Sequence, residues 1–272
     1  MTGPPPVVGP DALDGIAALC ARAVGQPLTV PELRDALFAP DQPSVVRFDP
    51  GAGMVATVLT GDEGFVRLIA VDPALRRAGH GTALLQAAEE DLAAARTVTV
   101  GADAPYFLFP GVPATETGLC SLLESRHYSR EEANYNVDVT LDGLAADPGT
   151  AHQPDPGGRE EVEQWTATHW PWWQAEALRA FDHGTLLISR DADGIAGFCA
   201  FDVNRSGTLG PIAARPDLMG RGAGRPLLLG ALHRLRDRGH RRIEVLWVGP
   251  LVPYARVGGT IGSVFFVYRK RR

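Results

Sequence analysis

Two stretches of the chain share one unusual pattern, "LRRAGHGTALL" (Leu75–Leu85) and "DLMGRGAGRPLL" (Asp217–Leu228). In each stretch, glycines stand at alternate positions, arginines lie beside them, and an apolar run at helical spacing follows. The pattern predicts a loop that opens a helix. Glycines let the backbone approach a ligand, and the first N–H groups and the dipole of a helix favour an anion. Both loops are therefore predicted to bind phosphate, and the alternative is a turn chosen for geometry alone.

Two common nucleotide-binding patterns do not fit these loops. A P-loop needs a lysine after its last glycine, and neither loop has one. A dinucleotide-binding fingerprint opens the first strand-to-helix turn of its domain. Here each loop follows the third strand-like segment of its half, after two helical segments. The position of the loops therefore disfavours a nucleotide-binding oxidoreductase.

The segments around each loop occur in the same order in both halves of the chain. Each half has helical material, three strand-like runs, the glycine loop, a helix, a strand, a short helical segment and a closing strand. The loops are 143 positions apart, which is the size of a domain. The sequence thus predicts a tandem duplication with a linker rich in Pro, Gly and Asp. The predicted boundaries are 1–142, 143–159 for the linker, and 160–272.

Composition places the chain among ordinary globular proteins and narrows its partners. Hydrophobic residues make up 45% of the 272 positions and charged residues 21%, with a net charge of −6. A slightly acidic chain offers no basic field for nucleic acid, and no apolar run is long enough to span a membrane. The N-terminus lacks the pattern of a signal peptide, so a cytoplasmic location is expected. Three scattered cysteines predict neither a disulfide framework nor a metal site.

The first loop and its preceding strand, "LIAVDPALRRAGHGTALL" (Leu68–Leu85), resemble the signature of the GNAT acetyltransferase superfamily. Arg76, Gly79 and Gly81 match the R/Q-x-x-G-x-G/A pattern of that signature. Gly222 and Gly224 match it in the second loop, where Met219 stands in place of Arg or Gln. The resemblance implies an α/β (α+β) fold with two tandem GNAT-like domains. Each domain is expected to have a mixed, mostly antiparallel twisted sheet flanked by helices.

The resemblance also implies acetyl-CoA as the cofactor. In this superfamily the pyrophosphate lies on the loop N–H groups, and the strand before the loop holds the pantetheine arm and the thioester carbonyl. The residues this implies in the first half are Ala70, Val71, Arg76, Arg77, Ala78, Gly79, His80, Gly81 and Thr82. Those in the second half are Ile212, Ala213, Gly220, Arg221, Gly222, Ala223, Gly224 and Arg225.

Acetyl transfer to an amine needs a base, a held carbonyl oxygen and an acid for the departing thiolate. By the resemblance, Tyr254 stands where the superfamily has its acid, whereas Leu123 stands there in the first half. The C-terminal half is therefore predicted to be catalytic, with Asp202 or Glu244 as its base. The alternatives are that Tyr254 only packs, that these carboxylates are structural, and that a water chain acts as the base.

Four of the five tryptophans fall in residues 165–173, the region that borders the acceptor pocket in the GNAT fold. Trp170, Trp172, Trp173 and also Trp247 are predicted to line that pocket, although some could belong to the core. The aromatic loop "YFLFPGVP" (Tyr106–Pro113) resembles that of GNAT proteins joined to amino-sugar glycosidases. This resemblance implies an amino sugar or a related metabolite as the acceptor.

Together these features predict an enzyme, an N-acetyltransferase that moves an acetyl group directly from acetyl-CoA to a primary amine of a small molecule. The alternative is an acetyl-CoA-binding sensor or scaffold in which one or both halves are catalytically inactive. Tyr254 separates the two hypotheses, because only an enzyme needs its hydroxyl group. The chain is expected to be a monomer or a homodimer, and the sequence leaves the acceptor unidentified.

Overall fold

The computed structural model describes residues 4–272, which divide into two compact units. Unit 1 contains the residues up to Asn134 together with Val264–Arg272, and unit 2 contains Tyr135–Ser263. These units differ from the predicted domains at both ends of unit 2. Residues 135–142, predicted to belong to the N-terminal domain, and the predicted linker 143–159 lie in unit 2. The last nine residues of the chain belong to unit 1, whereas the prediction assigned them to the C-terminal domain.

The elements alternate between helices and strands in the order that the sequence predicted. Up to residue 140 they are α1 (Leu13–Ala23), α2 (Val30–Leu37), β1 (Val45–Asp49), β2 (Gly53–Thr60), β3 (Glu63–Val71), α3 (His80–Asp91), β4 (Thr97–Val100), β5 (Val112–Pro113), α4 (Thr117–Ser125) and β6 (Ser129–Thr140). The rest are β7 (Ala151–His152), α5 (Arg159–His169), α6 (Gln174–Asp182), β8 (Leu186–Asp191), β9 (Gly194–Phe201), β10 (Thr208–Ala214), α7 (Gly224–Asp237), β11 (Arg242–Val245), α8 (Val252–Ala255) and β12 (Thr260–Arg271).

Unit 1 has a mixed sheet in the order β1-β2-β3-β4-β12. β3 and β4 run parallel, and the other neighbours run antiparallel. Side chains of β3 alternate between the two faces, as the period of a strand requires. Leu68 and Ala70 pack with α1 and α2, whereas Ile69 and Val71 pack against the cluster that contains α3. The sheet thus has a helical layer on each face.

Unit 2 repeats this arrangement in the order β6-β11-β10-β9-β8-β7. β10 and β11 run parallel, and the remaining pairs run antiparallel. Cys199 and Phe201 of β9 pack with α7, and Phe198 and Ala200 pack with α5 and α6 on the other face. The predicted fold class is confirmed.

The closing strands are exchanged between the two halves of the sequence. The end of β6 pairs with β11, so a strand encoded before residue 141 completes the sheet of unit 2. The end of β12 pairs with β4, so the last strand of the chain completes the sheet of unit 1. The sequence pattern assigned each closing strand to its own half, because both strands have the same alternation and nothing local marks their partners.

Candidate functional site

A cleft opens in unit 1 where two parallel strands separate. β3 and β4 are paired from Glu63 to Val66, and the N–H of Gly101 donates to the carbonyl of Val66 at 2.9 Å. Beyond that point β3 continues to Val71 without β4 beside it. A cavity of about 660 Å³ fills the gap. Its lining includes most of the exposed edge of β3, the first glycine loop, and one side of α4. Among the residues are Val66–Val71, Arg76, Arg77, Gly79, Gly81, Thr82, Thr115, Glu116, Thr117, Gly118, Leu119, Ser121 and Leu122.

The first glycine loop forms the start of α3 at one end of this cleft. Arg77 has φ of 68° and Gly79 has φ of 90°, so the chain turns twice through the left-handed region before His80. The first turn of a helix has N–H groups without partners inside the helix. Gly81 and Thr82 lie in that turn and line the cleft. The loop therefore presents backbone donors to the cleft, as an anion site requires.

Arg76 is held at the rim of the cleft by two elements. Its guanidinium donates to the carbonyl of Ala23 at 2.9 Å and lies 3.6 Å from the carboxylate of Glu116. The side chain thus joins the end of α1 to the start of α4. It remains within the lining of the cleft, where its charge favours an anion.

The second glycine loop follows the same backbone path 143 residues later. Gly220 has φ of 74° and Gly222 has φ of 89°, nearly the angles of Arg77 and Gly79. The strands before it also separate in the same way, because Leu246 donates to the carbonyl of Leu209 at 2.9 Å and β10 then continues alone. α7 begins at Gly224. The two loops are therefore alike in conformation as well as in sequence.

The resemblance implied Ala70 and Val71, and Ile212 and Ala213, as the N–H donors of the open strand edges. The hydrogen bonds replace one donor of each pair with a neighbouring residue. Asp72 donates to Ala52, the residue preceding β2, so Ala70 also points its N–H toward β2. Ile69 and Val71 then present their N–H groups to the cleft. In unit 2, Arg215 donates to Ala196 of β9, and the same alternation turns Ala213 away. The open edge of β10 is presented by Ile212 and Ala214.

β2 and β9 each contain a glycine that the sequence analysis missed. This glycine lets the strand lie close to β3 in unit 1 and to β10 in unit 2. A Cβ on Gly53 would lie 2.4 Å from the carbonyl of Ala70 and 3.0 Å from Leu84. A Cβ on Gly197 would lie 2.6 Å from the carbonyl of Ala213 and 2.9 Å from Leu227. Both glycines allow the central strand to approach its neighbour closely. The sequence analysis missed these two glycines because they lie in other strands, far along the chain from the glycine loops.

Tyr254, the predicted acid, lies on α8 in unit 2. It is buried, and it packs in one cluster with Leu209 of β10 and Val248, against which Ile212 also packs. Burial raises the pKa of its hydroxyl well above its ordinary value, and nearby Cys199 raises it further. The group is therefore protonated at neutral pH and able to donate a proton.

Asp202 and Glu244, the predicted bases, both have structural partners. Asp202 accepts from the N–H of Gly207 at 2.6 Å and from Arg238 at 2.8 Å, which fixes the turn between β9 and β10. Glu244 on β11 pairs with buried Arg205 at 2.7 Å. The base role of either carboxylate stays a prediction.

Three of the four predicted pocket tryptophans meet on one short turn. Trp170 stacks on Trp173 with ring centroids 5.0 Å apart, and Trp172 contacts both rings. The indole N–H of Trp170 donates to the carbonyl of Ala214 at 3.0 Å, so the cluster adjoins the open edge of β10. Trp247 follows β11, and its backbone N–H donates to Asn136 at 3.0 Å.

Arg67 forms a buried network in unit 1 that sequence reasoning did not detect. Its guanidinium lies 2.6 Å from Asp103 and donates to Ala36, Gln42 and Ser44. Both charged side chains are almost fully buried, and Arg67 also lines the cleft. Burial raises the pKa of Asp103, although Arg67 acts against this shift. This network could not be predicted from the sequence, because the partners of Arg67 come from segments that are distant along the chain.

A second cavity of about 430 Å³ in unit 2 is lined by Gln153, Pro154, Pro156, Phe181, Asp182, Gly184 and Leu186, none of them a predicted site residue. Over the described chain, no group of three or more His, Cys, Asp and Glu side chains is arranged to hold a metal ion. None of the helices within residues 4–272 is long and apolar enough to cross a membrane.

Both halves of the chain are similar to known proteins. The model of the acetyltransferase (GNAT) family matches residues 13–105 and 150–256. A mycothiol acetyltransferase of Clavibacter sepedonicus is 31% identical over 87% of this chain and 83% of the relative. A mycothiol acetyltransferase of Kineococcus radiotolerans is 32% identical over 88% and 84%.

Solved structures share the fold along almost the whole chain. The glucosamine N-acetyltransferase region of a fungal multi-domain GH3 β-N-acetylglucosaminidase matches 97% of this chain with a TM-score of 0.77 and 21% identity, and the chain spans 38% of that protein. A tandem GNAT protein from the clavulanic acid biosynthesis pathway matches 95% of this chain and 93% of its own length, with a TM-score of 0.66 and 18% identity. The tandem architecture is thus shared with other two-domain proteins.

Proposed function

Because the chain belongs to the GNAT acetyltransferase family, we propose that it transfers an acetyl group directly from acetyl-CoA to a primary amine of a small molecule. The chain is an acetyl-CoA-dependent acetyltransferase by family and by its relatives. The proposal adds the direct transfer, the nature of the acceptor, and the residues that carry each role.

The observation that carries the choice of acetyl-CoA as the donor is the cleft of about 660 Å³ between β3 and β4 of unit 1, whose glycine loop and open strand edge recur in unit 2. Its shape and donors fit acetyl-CoA. The pyrophosphate would lie on the N–H groups of Gly81 and Thr82, beside Arg76, where a helix start favours an anion. The pantetheine arm would lie along the edge that Ile69 and Val71 present. Bound acetyl-CoA supplies the activated acetyl group.

We place the transfer itself in unit 2. The lining of the unit 1 cleft contains few ionisable side chains, which are Arg67, Arg76, Arg77 and Glu116. Arg67 is paired with buried Asp103 and its donors are occupied by buried partners, so it offers no base that could accept a proton from an amine. Unit 1 therefore suits binding of acetyl-CoA without turnover. This feature favours the sensor hypothesis for unit 1 alone.

Unit 2 offers the groups that transfer requires. The N–H groups of Ile212 and Ala214 face the open edge of β10, where one of them can hold the developing oxyanion. Tyr254 keeps its proton at neutral pH, as a tyrosine with an ordinary pKa of about 10 also does, so its hydroxyl is available as a proton donor for the departing thiolate. A thiol has an ordinary pKa of about 8.5, which makes this proton helpful rather than essential.

The acceptor is proposed to be an amino sugar or a related amine. Support comes from the tryptophan cluster beside β10, since aromatic faces suit sugar rings, and from relatives described as mycothiol acetyltransferases and a glucosamine N-acetyltransferase.

The test is release of free thiol from acetyl-CoA by the purified full-length chain, with D-glucosamine and with an aliphatic primary amine as separate acceptors. The proposal expects amine-dependent thiol release with an acetylated product of matching mass. Tight binding of acetyl-CoA with no release in the presence of any primary amine would contradict it and favour the sensor hypothesis.

A further inference from the structure

Unit 2 contains a buried carboxylate that the proposed reaction has not used. Glu176 on α6 is 3% exposed, and its Oε2 atom has no hydrogen-bond partner. Burying a carboxylate oxygen without a partner costs free energy, which is why native proteins rarely do so. Such an atom is a candidate contact for a ligand that brings its own donor.

The position of Glu176 relates it to the open edge of β10. Ala177 and Ala180 of the same helix pack in one apolar cluster with Ala213. Glu176 is buried like Ala180, which follows it by four residues, and residues four apart lie on the same face of a helix. The carboxylate and the strand that would hold the thioester therefore share one face of unit 2.

The tryptophan cluster completes the connection. Trp173 precedes Glu176 by three residues at the start of α6, and residues three apart are neighbours on a helix surface. Trp173 stacks on Trp170, which is hydrogen-bonded to Ala214. Aromatic faces also attract cations. The surroundings of Glu176 thus combine a carboxylate and indole rings, the two groups that recognise an ammonium ion.

The charges around Glu176 leave its own charge largely uncompensated. Within residues 4–272, Arg179 is the charged group that acts on Glu176, and its guanidinium also donates to Asn204 at 2.9 Å. Charged residues on the neighbouring elements are paired with each other near the surface, as Arg159 with Asp182, Glu161 with Arg190, and Asp191 with Arg215. Burial consequently raises the pKa of Glu176 to about 7.

We propose that Glu176 binds the ammonium group of the acceptor and removes its proton. This inference rests on the proposed function and names the group that recognises the acceptor as a primary amine. Trp172, 63% exposed on the Pro171–Trp173 turn, marks the side of α6 from which the acceptor approaches. Glu176 is then a catalytic residue of unit 2.

The step balances as follows. One proton passes from the ammonium group to Glu176, and the nitrogen lone pair forms a bond to the thioester carbon. The carbon–sulfur bond breaks with its electron pair on sulfur, which takes the hydroxyl proton of Tyr254. The new amide nitrogen releases its second proton, which restores Tyr254, and the proton on Glu176 leaves to solvent. The overall products are the amide, free CoA and one proton.

The first experiment measures binding through tryptophan fluorescence, which needs no turnover. Wild-type protein, Glu176→Gln and the matched control Glu163→Gln, an exposed carboxylate on α5, are titrated with D-glucosamine, with n-propylamine and with neutral N-acetylglucosamine. We expect a saturable change with at least one amine, none with N-acetylglucosamine, at least tenfold weaker amine binding by Glu176→Gln, and no change for the control. Equal amine binding by Glu176→Gln, or no saturable response of the wild type to either amine, overturns the proposal.

The second experiment separates this proposal from the proposed function. If the wild type acetylates an amine, Glu176→Gln should lower kcat/KM for that amine about 10²-fold, leave binding of acetyl-CoA unchanged, and lose the rise in rate between pH 6 and 8. An unchanged rate and pH profile in the variant overturns the role of Glu176 while leaving the acetyltransferase intact. Absence of turnover in the wild type counts against the proposed function, and the fluorescence result then decides on the site.

Discussion

At the scale of single residues, the proposed chemistry depends on two buried ionisable groups with opposite tasks. Burial raises the pKa of both Tyr254 and Glu176. For a tyrosine, this keeps the proton on the acid. For a glutamate, it brings the pKa to about 7, where a carboxylate can both accept and release a proton at neutral pH.

Tyr254→Phe tests the acid. The change removes the hydroxyl group and keeps the packing, so acetyl-CoA should bind as before while kcat falls about 10- to 10²-fold. Steady-state thiol release and calorimetric binding measure the two quantities. Tyr135→Phe is the matched control, because Tyr135 is a hydrogen-bonded tyrosine of the same unit. A Tyr254→Phe protein with undiminished kcat would reduce Tyr254 to a packing residue.

Glu176→Gln should also change how stability depends on pH. The pKa of Glu176 is about 7 in the folded protein and about 4.3 in an unfolded chain. Between these pH values the folded state therefore binds more protons than the unfolded chain. The contribution of Glu176 to stability is present at low pH and is lost as pH rises through 7. The wild type should lose about 2–3 kcal/mol relative to the variant between pH 5 and pH 8. Urea unfolding at both pH values measures the difference, and parallel profiles would contradict it.

At the scale of elements, each glycine loop borders an open strand edge, because the strand before it separates from its parallel neighbour. The glycine loops, their helices and the duplication were predictable, because glycine spacing and helical periodicity are local signals. The direction of each N–H was not, because alternation is set by pairing with β2 and β9. Arg67 and its partners were hidden for a similar reason, since they meet only after folding. Gly53 and Gly197 had no local signal either.

Gly197→Ala and Gly53→Ala test the close approach of strands. A Cβ at either position would overlap a backbone carbonyl, so the free energy of unfolding should fall by about 1–3 kcal/mol. Gly53→Ala should also weaken acetyl-CoA binding, because β3 must shift. Gly118→Ala on α4 is the control, since its Cβ meets nothing within 4 Å, and it should be neutral or slightly stabilising. Urea unfolding of the three variants should order them accordingly, and wild-type stability in Gly53→Ala would refute the steric argument.

At the scale of the whole molecule, the duplicated units are not independent pieces of sequence. Val264–Arg272 completes the sheet of unit 1, although it is encoded after unit 2. No feature of the sequence foretold this exchange, because the two closing strands are alike in pattern. The physical consequence is that each half of the sequence lacks a strand that its own sheet requires.

A chain that ends at residue 263 should therefore lose unit 1 first. β4 would lose its antiparallel partner and Tyr268, a fully buried side chain of the unit 1 core. Hydrogen exchange should show β4 and α3 unprotected while α7 and β9 remain protected, and acetyl-CoA should no longer bind the unit 1 cleft. Full protection of β4 in the shortened chain would show that the exchanged strand is dispensable.

The most direct measurement is calorimetric titration with acetyl-CoA of the wild type, Gly81→Glu and Gly224→Glu, with thiol release recorded for each. Each substitution puts a negative side chain at one helix start, and Gly81 faces the unit 1 cleft. We predict that the wild type binds, that Gly81→Glu loses the unit 1 site but retains amine-dependent turnover, and that Gly224→Glu loses turnover. Absence of binding to the wild type, or loss of turnover with Gly81→Glu alone, would contradict the account.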